Sequence, residues 1–194
     1  MIHDTREQWL AEAVALISGR VFKQAGVEEL SGKWRIGCSW PGGGSARKSI
    51  GECWPSRASA DGTREMFISP TLDDPAKVLP VVVHEMIHAI DDCASGHRGR
   101  FARDAEAVGL EGKMTETHAG MDLSKELVKI SHDLGDYPHS KLVMALSGKK
   151  KQSTRLIKLS CSRCGFIARA SKTALEQAGL PTCGCGGNLE ASDN

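Results

Sequence analysis

The chain has 194 residues, of which 40% are hydrophobic and 25% are charged, with a formal net charge of +1. This composition is ordinary for a soluble globular protein, and no apolar run reaches the ~20 residues that a membrane span requires. The N-terminus lacks the apolar stretch of a secretory signal, so we expect a cytoplasmic protein with one main domain and at most a small appendage.

The first 70 residues combine one amphipathic helical pattern with several short strand patterns. Apolar residues at helical spacing predict a helix over residues 5–18. Short strands are predicted over 35–40, 49–54 and 65–69, and we interpret the glycine run 42–44 as a hairpin loop. Three tryptophans of this region are expected to lie in the core: Trp34, Trp40 and Trp54.

A helix that carries polar residues of metal-binding type follows these strands. Pro75 stands at the predicted start, and the apolar run 78–83 leads directly into the segment HEMIHAIDDCA. Gly96 is the predicted end of this helix. Two further amphipathic helices are predicted over 101–110 and 121–134, so the fold class is α+β with a small sheet on helices.

The segment His84-Glu85-Met86-Ile87-His88 is an HExxH motif. Residues four apart lie on the same face of a helix, so both imidazoles can reach one metal ion. Zinc binds neutral imidazole readily, and a catalytic zinc site keeps one position open for water. Glu85, beside the first ligand, is placed to accept a proton from that water as the general base.

Two histidines leave the site one ligand short. His97 lies just after Gly96, where a glycine break lets the chain turn back, and is therefore the expected third ligand. Asp104, Glu106 and His118 are the alternatives.

Several neighbouring residues have open roles. Asp91 is placed to orient a ligand histidine through a hydrogen bond, or is simply a solvated carboxylate. Cys93 is expected to be a core residue rather than a ligand. Stabilisation of a developing oxyanion falls to His118, Tyr137 or His139, and the sequence does not choose among them.

Four of the seven cysteines lie in the last 34 residues. Their spacing, CxxC followed by CxC, predicts a structural zinc site with four thiolate ligands: Cys161, Cys164, Cys183 and Cys185. The segments 156–159 and 166–170 are predicted to form a hairpin, and 171–179 a short helix. So small a module has little apolar material and needs the metal to fold.

The C-terminal part of the chain is basic. From Lys149 onward it carries eight Lys and Arg residues against three acids, a net charge of +5, which leaves −4 for the rest. The run Lys149–Lys151 is the predicted linker between a domain over 1–148 and a zinc-ribbon module over 149–194. The basic surface of the zinc-ribbon module could bind DNA through phosphates, which would place the protein at the nucleoid.

These motifs together resemble the SprT-like family of zinc metallopeptidases, which includes the DNA–protein crosslink protease Spartan. The resemblance rests on HEMIHA at 84–89, on Gly96, His97 and Phe101, on the segment ISP at 68–70 and on the C-terminal cysteines. It spans about residues 50 to 190, and the compact size is similar to that of bacterial or phage members.

The resemblance implies a minimal zincin-like domain, zinc bound by His84, His88 and His97, and Glu85 as the catalytic base. It further implies protein substrates associated with or crosslinked to DNA. The predicted strand 65–69 would offer an edge with which an extended substrate pairs. Two other functions fit the same residues: a nucleic-acid-binding zinc protein with vestigial catalysis, and a metal-dependent amide hydrolase acting on a non-protein substrate.

Overall fold

The computed structural model describes residues 3–40, 49–144 and 156–192. The chain is an α+β protein of two compact units, Met1–Met144 and Ala145–Asn194. The predicted linker at Lys149–Lys151 and the predicted glycine loop lie outside the described residues. Within the described ranges, no helix combines the length and apolar character that a membrane crossing needs.

The predicted first helix is present, and the helical path continues beyond it. Helix α1 spans Arg6–Ile17, and its N-cap residue Thr5 forms a capping box with Gln8. The chain then continues through a π-helical segment, Ser18–Phe22, into the last turn α2, Lys23–Ala25. This segment buries an apolar face in the core, which explains why the helical path does not stop at residue 18.

The sheet of the first unit has three strands: β1, Trp34–Cys38; β2, Gly51–Trp54; and β3, Arg64–Ile68. Their order is β1-β3-β2, with β3 parallel to β1 and antiparallel to β2. The predicted hairpin between the first two strands is therefore wrong, because β3 lies between them. The prediction that residues 65–69 offer a free edge is also wrong, since β3 is hydrogen-bonded on both sides.

Helix α3, Pro75–Ile90, carries the HExxH motif through the middle of the first unit. The helix begins at Pro75, as predicted, and the Asp74 side chain caps this start by accepting a hydrogen bond from the Ala76 N–H. Ten of its side chains are buried, among them Val78, Leu79, Val82 and Met86. They pack against α1 and the sheet, so the motif sits on a helix that is fixed on several sides.

The predicted end of this helix at Gly96 is wrong. Helix α3 ends at Ile90, and Asp92 and Cys93 both take positive φ values, 53° and 58°. The Cys93 N–H donates to the His88 carbonyl at 2.8 Å, which closes the helix and turns the chain.

The rest of the first unit contains helix α4, Arg100–Ala107, strands β4, Leu110–Lys113, and β5, Glu116–Ala119, and helix α5, Met121–Leu134. Helix α5 matches its prediction, whereas Leu110 belongs to β4 rather than to the preceding helix. The antiparallel β4–β5 hairpin was not predicted, because its strands are only four residues long and mostly exposed.

The second unit is a three-stranded antiparallel sheet of order β7-β6-β8, with strands β6, Ile157–Cys161, β7, Ile167–Ala170, and β8, Leu189–Ser192. The predicted β6–β7 hairpin and the predicted short helix, α6 at Lys172–Ala178, are both present. Its buried hydrophobic cluster holds four residues: Leu159, Cys161, Cys183 and Leu189.

Candidate metal centres

Three histidines come together on one side of helix α3, and we call them the histidine cluster: His84, His88 and His97. The first two lie one helical turn apart, and His97 reaches them from the turn that follows the helix. Ligand nitrogens of all three lie within 4.8 Å of one another. The Nε2 atom of His97 is 3.3 Å from that of His84 and 3.2 Å from that of His88.

These separations fit one metal ion. Two nitrogens that bind zinc tetrahedrally at about 2.0–2.1 Å lie roughly 3.3–3.4 Å apart. The imidazoles also favour the neutral form, because burial lowers the pKa of His84 to about 3 and that of His88 to about 4. Burial lowers the pKa of His97 as well. Neutral imidazoles are the form that binds a metal.

The turn that carries His97 is tied to the rest of the unit. The Asp92 carboxylate accepts hydrogen bonds from the Ser56 N–H at 2.6 Å and from the Ser56 hydroxyl at 2.8 Å. Asp91 accepts a hydrogen bond from the Ser95 N–H at 3.1 Å. Asp91 thus stabilises the turn, which is neither of the two roles considered from the sequence, a hydrogen bond to a ligand histidine and a solvated carboxylate.

Two residues from outside the motif hold the imidazoles in place. The fully buried Phe101 ring of α4 stacks on His88 with the ring centroids 4.2 Å apart, and its centroid lies 4.9 Å from that of His84. Thr117 of β5 shares a hydrogen bond with His84, with Nδ1 and Oγ1 2.8 Å apart. This contact leaves Nε2 of His84 directed at the cluster, which is the usual arrangement of a metal-binding histidine.

Glu85 is buried beside the cluster, with 4% of its surface exposed. Burial, followed by the nearby Cys93 and Glu52, raises the pKa of its carboxyl group to about 8. A cation close to the carboxylate favours the ionised form and so opposes this shift. Gly51 of β2 makes room for the group, because a Cβ at this position would collide with Glu85 Oε1 and lie 2.5 Å from Val81 Cγ1.

The histidine cluster and Glu85 line an open cleft of about 770 Å³, here called the histidine cleft. One wall is formed by consecutive residues 49–54, which include strand β2, and another by residues 115–117 of the β4–β5 hairpin. Trp54 is 40% exposed on this wall, so its predicted place in the core is wrong. Trp34 is partly buried against the core, and the Trp40 indole N–H donates to Ser69 Oγ.

The alternative third ligands lie elsewhere. Asp104 is buried in ion pairs with Arg100 and Arg103, and Glu106 is exposed on α4. His118 faces away from the histidine cluster on β5, where it lies 3.9 Å from Glu111.

None of the three predicted oxyanion-stabilising residues is among those that line the histidine cleft. Tyr137 is buried against Trp9, with the ring centroids 4.8 Å apart. His139 contacts the Pro70 carbonyl and Arg6. Cys93, predicted to be core, is partly exposed to the cleft, and its thiol donates to the Cys53 carbonyl.

A second candidate metal centre, the cysteine cluster, lies in the C-terminal unit: Cys161, Cys164, Cys183 and Cys185. The sulfurs of Cys161 and Cys185 are 3.6 Å apart, and those of Cys164 and Cys183 are 3.5 Å apart. Thiolates that bind one zinc ion tetrahedrally at about 2.3 Å lie roughly 3.8 Å apart, whereas a disulfide requires about 2.05 Å. The spacing therefore fits a shared metal ion.

Backbone groups favour the thiolate form of Cys161. The N–H groups of Cys164 and Arg163 lower the pKa of the Cys161 thiol to about 7. A Cβ at Gly187 would lie 2.8 Å from Cys161 Sγ, so glycine lets the backbone approach the sulfur. Both clusters can hold a metal ion.

Comparisons with protein-family profiles, curated proteins and solved structures find no match to this chain.

Proposed function

We propose that this chain is a zinc-dependent metallopeptidase of SprT-like type with a minimal zincin-like domain. The observation that carries the proposal is the convergence of three Nε2 atoms beside a buried carboxyl group, in a cleft with a strand along one wall. His84, His88 and His97 would hold the metal, and Glu85 would act as general base.

The residues of the cleft supply the groups that peptide hydrolysis needs. The histidine cluster would hold a zinc ion, which would lower the pKa of water and polarise a carbonyl group. Glu85 would accept the proton of the attacking water and pass it to the leaving amine. The burial of Glu85 suits both steps, because a carboxyl group in an apolar setting holds a proton more readily than an exposed one.

The position of strand β2 favours an extended peptide as the substrate. One side of β2 pairs with β3, and all four residues of the strand line the histidine cleft. A peptide can add to such an edge through main-chain hydrogen bonds, whatever its side chains. The edge of β2 takes the role that the sequence predicts for residues 65–69, and it favours a peptide over a non-protein amide as the substrate.

The number of histidines argues against a purely structural site. Structural zinc ions usually have four protein ligands, whereas catalytic ions have three and an open position. Among the described residues, the group around His84 has three members. This difference favours the peptidase over a nucleic-acid-binding protein with vestigial catalysis.

The second unit, which contains the cysteine cluster, is the proposed DNA-binding part. It would bring the peptidase to proteins that are bound or crosslinked to DNA. It exposes Phe166 and Ile167 at 57% and 53%, beside the exposed Arg163 and Arg169. Cations that contact phosphates and an aromatic ring that stacks on bases are the usual elements of single-strand binding. A zinc ion in the cysteine cluster would stabilise this unit, whose buried cluster of four residues is small.

The test is hydrolysis of an unfolded protein by the zinc-loaded chain, with the variants Glu85→Gln and Glu106→Gln compared at equal zinc content. We expect Glu85→Gln to lower the rate by about 10²–10⁴-fold, the usual contribution of a general base. Glu106→Gln makes the same chemical change at an exposed position outside the cleft and should retain the rate. Turnover by Glu85→Gln at the wild-type rate would refute the proposal.

A further inference from the structure

A second cleft of about 440 Å³, here called the side cleft, opens beside the histidine cleft. It lies between the first half of α3, strand β5 and helix α5. Much of its lining is apolar: Leu72, Pro80, Val81, Ala119, Leu127 and Val128. Its volume falls in the range of about 300–1,000 Å³ that is typical of ligand pockets.

The side cleft adjoins the histidine cleft. Four residues line both: Ile50, Pro80, Val81 and Thr117. Val81 lies one helical turn before Glu85, and Thr117 is hydrogen-bonded to His84. A substrate whose scissile bond lies at the histidine cluster therefore has an adjacent position within reach of the side cleft.

The walls of the side cleft suit an apolar guest. Val81 and Leu127 are 8% and 4% exposed and form buried walls, whereas Ile50 and Val128 are 52% and 51% exposed. Large apolar side chains that remain in water around a cleft commonly mark a binding site, because a partner that covers them gains the hydrophobic free energy of their burial. Lys77 and His118 add polar groups to the lining, so an acidic substrate side chain is the main alternative to an apolar one.

We propose that the side cleft is a specificity subsite that accepts a large apolar side chain, such as leucine or phenylalanine, next to the scissile bond. This inference rests on the proposed peptidase function. An apolar pocket distinguishes two substrates whose side chains differ by one methylene by about 10–200-fold in kcat/KM. We therefore expect kcat/KM for a peptide with leucine at this position to exceed that for alanine by at least about tenfold.

The test uses peptides that are identical except for leucine, alanine, glutamate or lysine at the positions flanking one cleavable bond. Cleavage sites are identified by mass spectrometry. Two variants alter the side cleft: Ala76→Trp fills it from an exposed position on α3, and Val128→Glu adds charge at an exposed position on α5. Met121→Glu is the matched control, because it replaces an apolar residue that is 73% exposed on the same helix outside the cleft.

We expect the wild type and Met121→Glu to prefer leucine at one flanking position. Ala76→Trp should cleave the alanine peptide and lose the preference for leucine, and Val128→Glu should shift the preference towards lysine. Turnover that depends on Glu85 but shows no preference, or a preference that both variants retain, would overturn the subsite alone. A wild-type preference for glutamate would do the same. Absence of any peptide turnover would overturn the subsite together with the peptidase function.

Discussion

Replacing Thr117 by valine removes the hydroxyl group that bonds His84 Nδ1 and keeps the shape of the side chain. The bond is 2.8 Å long and partly buried. A hydrogen bond of this kind contributes about 0.5–1.5 kcal/mol, and loss of a contact that orients a metal ligand costs about 10–100-fold in affinity. We therefore expect Thr117→Val to weaken zinc binding at the histidine cluster by about tenfold, near 1.4 kcal/mol.

Zinc affinity is measured by competition with a chromophoric chelator in the Cys161→Ala/Cys164→Ala background, so that the cysteine cluster does not contribute. Thr117→Ser retains a hydroxyl and should recover most of the affinity. Thr115→Val makes the same change at an exposed residue of the same cleft wall and should have little effect. Equal affinities for Thr117→Val and Thr115→Val would refute the idea that Thr117 orients His84.

Three other substitutions test residues that surround the histidine cluster and Glu85. Gly51→Ala adds a Cβ that collides with Glu85 Oε1, so hydrolysis should fall by at least about tenfold at unchanged zinc content. Phe101→Ala empties a fully buried position, and urea titration should show a loss of about 3–5 kcal/mol in unfolding free energy. Hydrogen bonds from the Ser56 N–H and hydroxyl lower the pKa of the Asp92 carboxylate, so the ionised carboxylate stabilises the fold. Asp92→Asn should therefore be less stable than wild type at neutral pH. This difference in stability should vanish as the pH falls through the lowered pKa of the carboxylate.

Gly37→Ala is the control for Gly51→Ala, since a Cβ at Gly37 meets nothing within 4 Å, and equal rates for the two variants would show that Glu85 tolerates the crowding. A loss below about 1 kcal/mol for Phe101→Ala would mean that the ring contributes little to the core. A stability difference for Asp92→Asn that stays constant down to pH 2 would exclude the ionised carboxylate as its source.

The parts of the site that depend on local spacing could be predicted from the sequence. His84 and His88 are four residues apart on a helix whose cap and apolar run are both visible in the sequence, and the structure places their imidazoles together. His97 follows from the same local reasoning, although the helix ends six residues before Gly96. The positive φ values of Asp92 and Cys93 turn the chain there, and only the aspartate is a residue type enriched at such values.

The parts that depend on long-range pairing could not be predicted. The order β1-β3-β2 is set by which strands meet in space, so the adjacency of the first two patterns in sequence suggested a hairpin that does not form. Thr117 reaches His84 across 33 residues from a hairpin with only a weak strand pattern. Gly51 looked like an ordinary strand residue, and its closeness to Glu85 appears only once β2 lies beside α3.

The proposed function depends most on a metal ion held by the three histidines, and zinc content tests this directly. Elemental analysis of the purified wild type, His97→Ala and Cys161→Ala/Cys164→Ala gives the number of zinc ions per chain. We expect two ions in the wild type and one in each variant, because the two clusters lie in separate compact units. Two ions retained by His97→Ala, or fewer than two in the wild type, would contradict the assignment of one zinc ion to each cluster.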